Sequence, residues 1–244
     1  MRVNSTELQN SFGKYLSLVE KEDIIVLKNG KSVAKMIKYN DSGEYFVSEG
    51  AGKYKTGRVS YKEYLELVKS SDKRYELIDG KIYLMSSPSF QHQLLVNEIS
   101  WQLNNYFRDI KECISLTSPL DIKLSGYAPN FEENPNIVQP DLVVICDQEN
   151  VNKDKYEGTP SLIIEVLSPT TKSKDLVLKL NLYMKSGIKE YWIVDKEKKK
   201  IMQYIFTENR EIDQVNDVYD NDKIISRYFE GLKINLLDIF EVIK

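Results

Sequence analysis

Two apolar runs in the second half of the chain each carry a single acid. VQPDLVVIC (138–146) holds Asp141, and SLIIEVLS (161–168) holds Glu165. Short apolar runs rich in Val and Ile read as strands buried on both faces. A carboxylate buried there without compensation is costly, so it needs a proton, a cationic partner or a metal. Any fold for this chain must therefore bring something positive to both residues. If the two strands are neighbours, four carboxylate oxygens surround one point, which suits a hard divalent cation of the Mg²⁺ type. Glu76, in YELIDG between Tyr75 and Leu77, is a third acid in a strand-like setting.

The rest of the composition narrows the chemistry. Cys113 and Cys146 are the only cysteines and His92 is the only histidine. The cysteine count excludes a disulfide framework or a CxxC zinc site, and with one histidine a zinc centre of the His/Cys type is excluded as well. Few cysteines also fit a reduced, cytoplasmic setting. The remaining option is Mg²⁺ or Mn²⁺ held by carboxylates. MRVNSTELQN lacks the apolar segment of a signal peptide, and no run approaches the ~20 apolar residues of a membrane helix, so no membrane partner is expected. Apolar residues make up 41% of the 244 and charged ones 29%, enough for a packed core in one large domain, or an ordinary domain plus a small one.

Net charge is −3, unevenly spread. Residues 1–40 carry seven Lys/Arg against four Asp/Glu, and residues 41–244 carry 27 against 33. The basic part is the N-terminal part, where a polyanion would be met.

Residues 1–40 read as strand, helix, helix, hairpin. Leu8, Phe12, Tyr15, Leu16 and Val19 recur at helical spacing, with Ser5 or Thr6 as cap and Gly13 as a break. DIIVLKNGKSVAKMIKY holds two β-rich runs around Asn29-Gly30. The residues Glu7-Leu8, Phe12-Gly13-Lys14-Tyr15-Leu16, Val19-Glu20 and Lys28-Asn29-Gly30-Lys31-Ser32-Val33-Ala34 resemble the Phd/YefM antitoxin family. That resemblance implies a module that dimerises, making the chain a homodimer, and binds operator DNA. The family's usual toxin-neutralising tail is replaced here by another domain. Residues 41–57, rich in Gly, Ser and charge, read as a linker.

Residues 58–244 form the larger domain. Ser60 caps a short helix, and RYELIDGKIYLM is a hairpin about Asp79-Gly80. SFQHQLLVNEISWQLNNYFRDI is a long amphipathic helix with Val96, Ile99, Leu103, Tyr106 and Ile110 on one stripe. CISLTSPLDIKLS is a strand region and GYAPNFEENPNI a loop. SKDLVLKLNLYMKSG is a helix closed by Gly187, with Leu176, Leu180, Tyr183 and Met184 as its stripe and Lys179 on or beside it. An inward lysine wants a carboxylate or a phosphate, whereas Lys172, Lys174 and Lys185 read as surface charges. KEYWIVDKEKKKIMQYIF is a second hairpin, Asp195 ends its first strand, and Trp101 and Trp192 are expected in the core. The element order is α/β or α+β, with a central mixed sheet flanked by helices.

An acid, then Pro-Asp, then Glu with a nearby lysine, is the layout of PD-(D/E)xK nucleases. The segments YELIDGKIYLMSSPSFQHQ, VQPDLVVI, PSLIIEVLSPTTKSKDLVLKLNLYMKSGIKEYWIVD and FEGLKINLLDIF resemble the Uma-two family of restriction-type endonucleases, from about Arg74 to Phe240. The resemblance implies a restriction-endonuclease-like fold. It implies Glu76, Asp141 and Glu165 as metal-site acids and Lys179 as the catalytic lysine. It also makes His92, at the start of the long helix, a site residue that contacts phosphate or supports an acid. The departure is Leu167, where the superfamily pattern has lysine; the lysine has moved to the following helix.

The expected function is a Mg²⁺-dependent endonuclease hydrolysing phosphodiester bonds in DNA, with an N-terminal module for dimerisation or DNA binding. The alternatives are a non-catalytic DNA-binding regulator on a nuclease fold, and a toxin–antitoxin fusion whose N-terminal module restrains the nuclease.

Overall fold

The structure is a computed structural model that describes residues 1–19, 22, 24–36, 58–124, 136–152, 155–168 and 174–243. The expected linker at 41–57 lies outside these residues, as does most of the expected loop at 126–137. The chain divides into two compact units, Met1–Gly57 and Arg58–Lys244.

In the first unit, β1 (Arg2–Asn4) leads into α1 (Ser5–Asn10) and α2 (Phe12–Val19), followed by β2 (Ile24–Lys28) and β3 (Lys31–Met36). β1 pairs parallel with β2, and β2 antiparallel with β3. Asn29 and Gly30 both have positive φ, 52° and 76°, as a two-residue hairpin turn requires. Val3, Tyr15, Val19, Ile24 and Val26 form the small core. The helix breaks at Ser11 (φ −134°, ψ 35°), not at Gly13, and the cap position is Asn4. Ser11 is a poor helix former that leaves the helical region while its N–H still bonds back to Glu7 and Leu8. Phe12 falls off the expected stripe and is exposed.

The second unit opens with α3 (Tyr61–Lys69), where Ser60 and Glu63 make a reciprocal capping box. The hairpin of β4 (Tyr75–Ile78) and β5 (Lys81–Leu84) turns at Asp79 and Gly80, both with positive φ. Next comes α4 (Phe90–Phe107), capped by Ser89. Strands β6 (Ile114–Thr117), β7 (Asp121–Leu124), β8 (Ile137–Val138), β9 (Leu142–Ile145), β10 (Val151–Asn152), β11 (Lys155–Gly158) and β12 (Leu162–Val166) follow. A π-helix at Lys174–Lys179 runs into α5 (Leu180–Ser186). The chain ends with β13 (Glu190–Asp195), β14 (Lys200–Phe206), β15 (Ile212–Tyr219), β16 (Lys223–Ile225), β17 (Lys233–Asn235) and α6 (Leu236–Glu241).

The expected α+β architecture of mixed sheet flanked by helices is present, but in place of one central sheet the described residues of this unit form two six-stranded mixed sheets, besides the small β16-β17 pair. Their strand orders are β15-β14-β13-β12-β9-β6 and β10-β11-β7-β8-β4-β5. The expected strand region at 113–125 splits between them: β6 joins the first sheet and β7 the second, with Pro119, which has no N–H to give a ladder, in the connection. The central strands of the first sheet, β9, β12 and β13, are buried on both faces. Leu142, Val144, Leu162, Ile164, Val166, Trp192 and Val194 pack on Leu95, Ile99, Leu103 and Phe107 of α4 and on α6. Val143, Ile145, Ile163, Tyr191 and Ile193 face the other way, toward Leu182 and Tyr183 of α5 and toward residues of the second sheet. Strand periodicity of two thus decides which residues can meet the helix after β12.

Two expectations fail here. Trp192 is buried, but Trp101 is 61% exposed, on the face of α4 opposite its buried residues. Cys113 and Cys146 form a disulfide. The β6–β9 register pairs Ile114 with Ile145, so one further step sets the two cysteines opposite each other. A count of two excludes a framework, but not a single cross-strand bond whose partners only the register reveals.

Candidate active site

Asp141 and Glu165 are brought together by strand register. β12 pairs antiparallel with β9 as Leu162↔Val144, Ile163↔Val143 and Ile164↔Leu142. One further step faces Glu165 with Asp141, on the side that carries Val143, Ile145 and Ile163. Asp141 is locked there, because its Oδ2 accepts the Val166 N–H at 2.8 Å and lies 3.1 Å from His92 Nε2. His92 reaches it from the first turn of α4, whose start Ser89 fixes by accepting the His92 backbone N–H. His92 Nδ1 is buried without a hydrogen-bond partner among the described residues.

Glu165 Oε1 accepts from Lys179 Nζ at 2.7 Å and from the Tyr183 hydroxyl at 2.8 Å. Lys179 Nζ also lies 2.8 Å from Glu76 Oε1 and 3.9 Å from Asp175 Oδ1. Glu76 comes from β4 in the second sheet. Its Oε1 also accepts the Gln139 N–H at 3.1 Å, and its Oε2 the Lys174 ammonium at 2.6 Å. The structure therefore brings together all five sequence-derived residues, with His92 touching Asp141 and Lys179 bridging Glu76 and Glu165.

Three further residues belong to this cluster. Lys174, read as a surface charge, is bound to Glu76. Tyr183, read as part of the apolar stripe and as the i+4 neighbour of Lys179, bonds Glu165, and Asp175 is buried beside Lys179. Tyr183 was findable, because it stands one helical turn after Lys179 on the same face. Lys174 and Asp175 were not findable, because a π-helix changes which positions share a face.

The electrostatics sort the acids. Burial opposes ionisation of Glu76, but Lys179 and Lys174 outweigh it and hold its pKa down to about 2. Burial dominates at Glu165; Lys179 counteracts it, Asp141, Asp175 and Glu76 add to it, and the pKa is pushed up to about 8. Burial also works against the Lys179 ammonium, yet Glu165, Glu76 and Asp175 together keep its pKa well above the usual lysine value. These shifts pull against one another, because one ammonium cannot neutralise two carboxylates. Glu76, which has Lys174 and a backbone N–H as well, is the one that ionises. At Glu165 burial and the neighbouring acids favour the protonated form, and a further cation would oppose them.

The donor set fits a hard cation. With Glu76, Asp141, Glu165 and Asp175 ionised, Lys174 and Lys179 leave two negative charges uncompensated, the charge of one divalent ion. Asp141 Oδ1 and Glu165 Oε2 accept no hydrogen bond among the described residues, whereas both oxygens of Glu76 are taken. Among the described residues no three His, Cys, Asp or Glu side chains converge as a ready cage. Mg²⁺ does not require one, since it is usually held by one or two carboxylates, several waters and substrate phosphate.

Comparisons with known proteins show the family and the fold. A curated protein from Synechocystis sp. (strain ATCC 27184 / PCC 6803 / Kazusa), described as "Uncharacterized protein slr1290", is 25% identical over 182 residues, covering 75% of this chain and 86% of that protein. The crystal structure of a "putative nuclease belonging to DUF820" from Anabaena variabilis superimposes with a TM-score of 0.60 at 17% identity, covering 76% of this chain and 99% of that one, and so shares the fold. Residues 61–237, well over half of the chain, match the Uma2 family, described as "Putative restriction endonuclease". The chain belongs to the Uma2 family of restriction-endonuclease-like proteins.

Proposed function

We propose that the chain is a divalent-metal-dependent endonuclease that hydrolyses phosphodiester bonds in DNA. The observation that carries this reading is the pairing of Asp141 with Glu165 across adjacent strands, each with one open oxygen, beside a buried lysine. Asp141 and Glu165 would hold Mg²⁺ or Mn²⁺. An ion there would polarise the scissile phosphate and make a bound water a stronger nucleophile. Lys179 supplies fixed positive charge beside the reacting phosphate, where a preorganised donor in a dry site is most effective. His92 and the Val166 N–H orient Asp141, and Tyr183 orients Glu165. Glu76, with no oxygen open, positions Lys179. The N-terminal unit, basic over its first forty residues, is assigned to dimerisation and DNA contact.

The test incubates the protein with supercoiled plasmid, single-stranded DNA and RNA, in Mg²⁺, Mn²⁺ or EDTA, beside an Asp141→Ala/Glu165→Ala double variant. Plasmid nicking by the wild type only, and only with metal, is the expected result. DNA binding without cleavage in any metal would replace this reading with that of a DNA-binding regulator.

A further inference from the structure

Lys174 lies on the same carboxylate as Lys179, five residues away. In an α-helix, positions five apart are separated by about 140° and cannot share one partner. In a π-helix the turn closes between residues i and i+5, so the two side chains return to the same side. The π segment at Lys174–Lys179 therefore has a geometric consequence: it aims two ammoniums at Glu76, one on each oxygen. π segments are rare and cluster at functional sites.

The two oxygens of Glu76 serve different partners: Oε1 meets Lys179 and the Gln139 N–H, and Oε2 meets Lys174. The two lysines also differ in access. The Lys179 side chain is 3% exposed and that of Lys174 is 15%, so Lys174 alone of the pair reaches solvent. Its ammonium lies 5.7 Å from the Tyr83 ring centre, with that ring and Glu76 fixing its place. An ammonium has three donors, and Glu76 takes one here.

We infer that Lys174 is a substrate-contacting residue: a cation presented by Glu76 to a backbone phosphate of the strand being cut, next to the one at the metal. This rests on the nuclease reading above and adds to it a residue that the sequence pattern places on the surface. Glu76 then has one task with two outlets, holding Lys179 inward beside Glu165 and Lys174 outward toward the polyanion.

The experiment compares the full-length wild type, Lys174→Gln and Lys174→Arg. Glutamine keeps a donor for Glu76 but removes the charge, and arginine keeps the charge. Binding of a fluorescent duplex is followed by anisotropy in EDTA across a range of KCl, and cleavage kinetics are measured in Mg²⁺. Lys174→Gln should weaken binding about tenfold, reduce the slope of log K against log salt by about one phosphate contact, and raise KM more than it lowers kcat. Lys174→Arg should restore the slope and KM. A Lys174→Gln protein with the wild-type salt slope and KM would overturn the inference, whether or not kcat falls, because a prop for Glu76 would not alter counterion release. Loss of the folded state in Lys174→Gln with normal behaviour in Lys174→Arg is judged on Lys174→Met, whose alkyl stem keeps the Tyr83 contact, by the same slope. A wild type that neither binds nor cuts any nucleic acid would sink the nuclease reading and this inference with it; a wild type that cuts while the variants keep its slope sinks this inference alone.

Discussion

Buried acids in this chain differ by what meets them. Glu190 is as buried as Glu76, but it is served by hydrogen-bond donors: the Trp192 indole, the Ser226 hydroxyl and the backbone N–H groups of Arg227 and Tyr228. It pins a turn against the sheet and needs no cation. Glu76 meets two lysines, and Glu165 shares one of them. Glu76→Gln would leave two ammoniums clustered without their counter-charge, and should cost about 3–5 kcal/mol in metal-free denaturant unfolding. Glu165→Gln replaces a carboxyl that is already protonated near neutral pH, so it should cost far less while abolishing metal-dependent cleavage. Equal losses of stability would contradict this division. The same shifts set the pH dependence. Glu165, raised to about 8, binds more protons folded than unfolded, so its contribution to metal-free stability falls as pH rises from ordinary carboxyl values toward 8. Glu76, lowered to about 2, contributes above the ordinary carboxyl range and loses this as pH falls toward 2. Ion binding at Glu165 must displace its proton, so calorimetry at neutral pH in buffers of different ionisation enthalpy should show proton release on adding Mn²⁺. Buffer-independent heats would contradict the protonated Glu165. In the sequence Glu165 was conspicuous for its apolar neighbours. Its hydroxyl partner Tyr183 was legible only through its i+4 spacing from Lys179, because an apolar stripe hides a tyrosine's polar end.

The decisive element is the segment joining β12 to β13. These strands are parallel, so the chain must cross over between them, and the π-helix and α5 make up the described part of that connection. Gly187, at φ 87°, closes α5 in the left-handed conformation, as its position in the sequence suggests. The wide turn is anchored by the Tyr191 hydroxyl, which donates to the Asp175 carbonyl at 3.2 Å. Inserting an alanine after Val177, which is exposed, places Lys174 six positions before Lys179 and should swing it by roughly 100° from Glu76. α5 keeps its packing through Leu182 and Tyr183. Far-ultraviolet circular dichroism should stay near wild type while plasmid cleavage falls by at least about tenfold, the scale of one lost charge-assisted contact. Undiminished cleavage would mean that the π geometry has no part in the site. Periodicity located this helix and its inward lysine, but a 3.6-residue reading puts Lys174 on the wrong face. At α4 the periodicity worked for the buried stripe, while hydrophobicity alone misplaced Trp101.

The division of the whole chain places every site residue in one unit. Glu76, His92, Asp141, Glu165, Lys174, Lys179 and Tyr183 all lie within Arg58–Lys244. A protein starting at Arg58 should fold cooperatively and retain metal-dependent cleavage, at reduced DNA affinity, measured as KM on plasmid. Cleavage that rises on removing residues 1–57 would favour restraint by the N-terminal unit. No helix among the described residues is long and apolar enough to cross a membrane. What could be read along the chain was local: hairpins at Asn29-Gly30 and Asp79-Gly80, the Ser60 cap, and acids stranded among apolar neighbours. Each depends on residues a few positions apart, and short-range sterics and burial preference decide them. What needed the fold was every contact at long separation: Asp141 opposite Glu165, Glu76 arriving from a second sheet, Cys113 beside Cys146, and two lysines on one carboxylate. Strand register and the pitch of one helical turn set these pairings, and both are fixed by packing energies summed over the assembled core rather than by any single residue's chemistry.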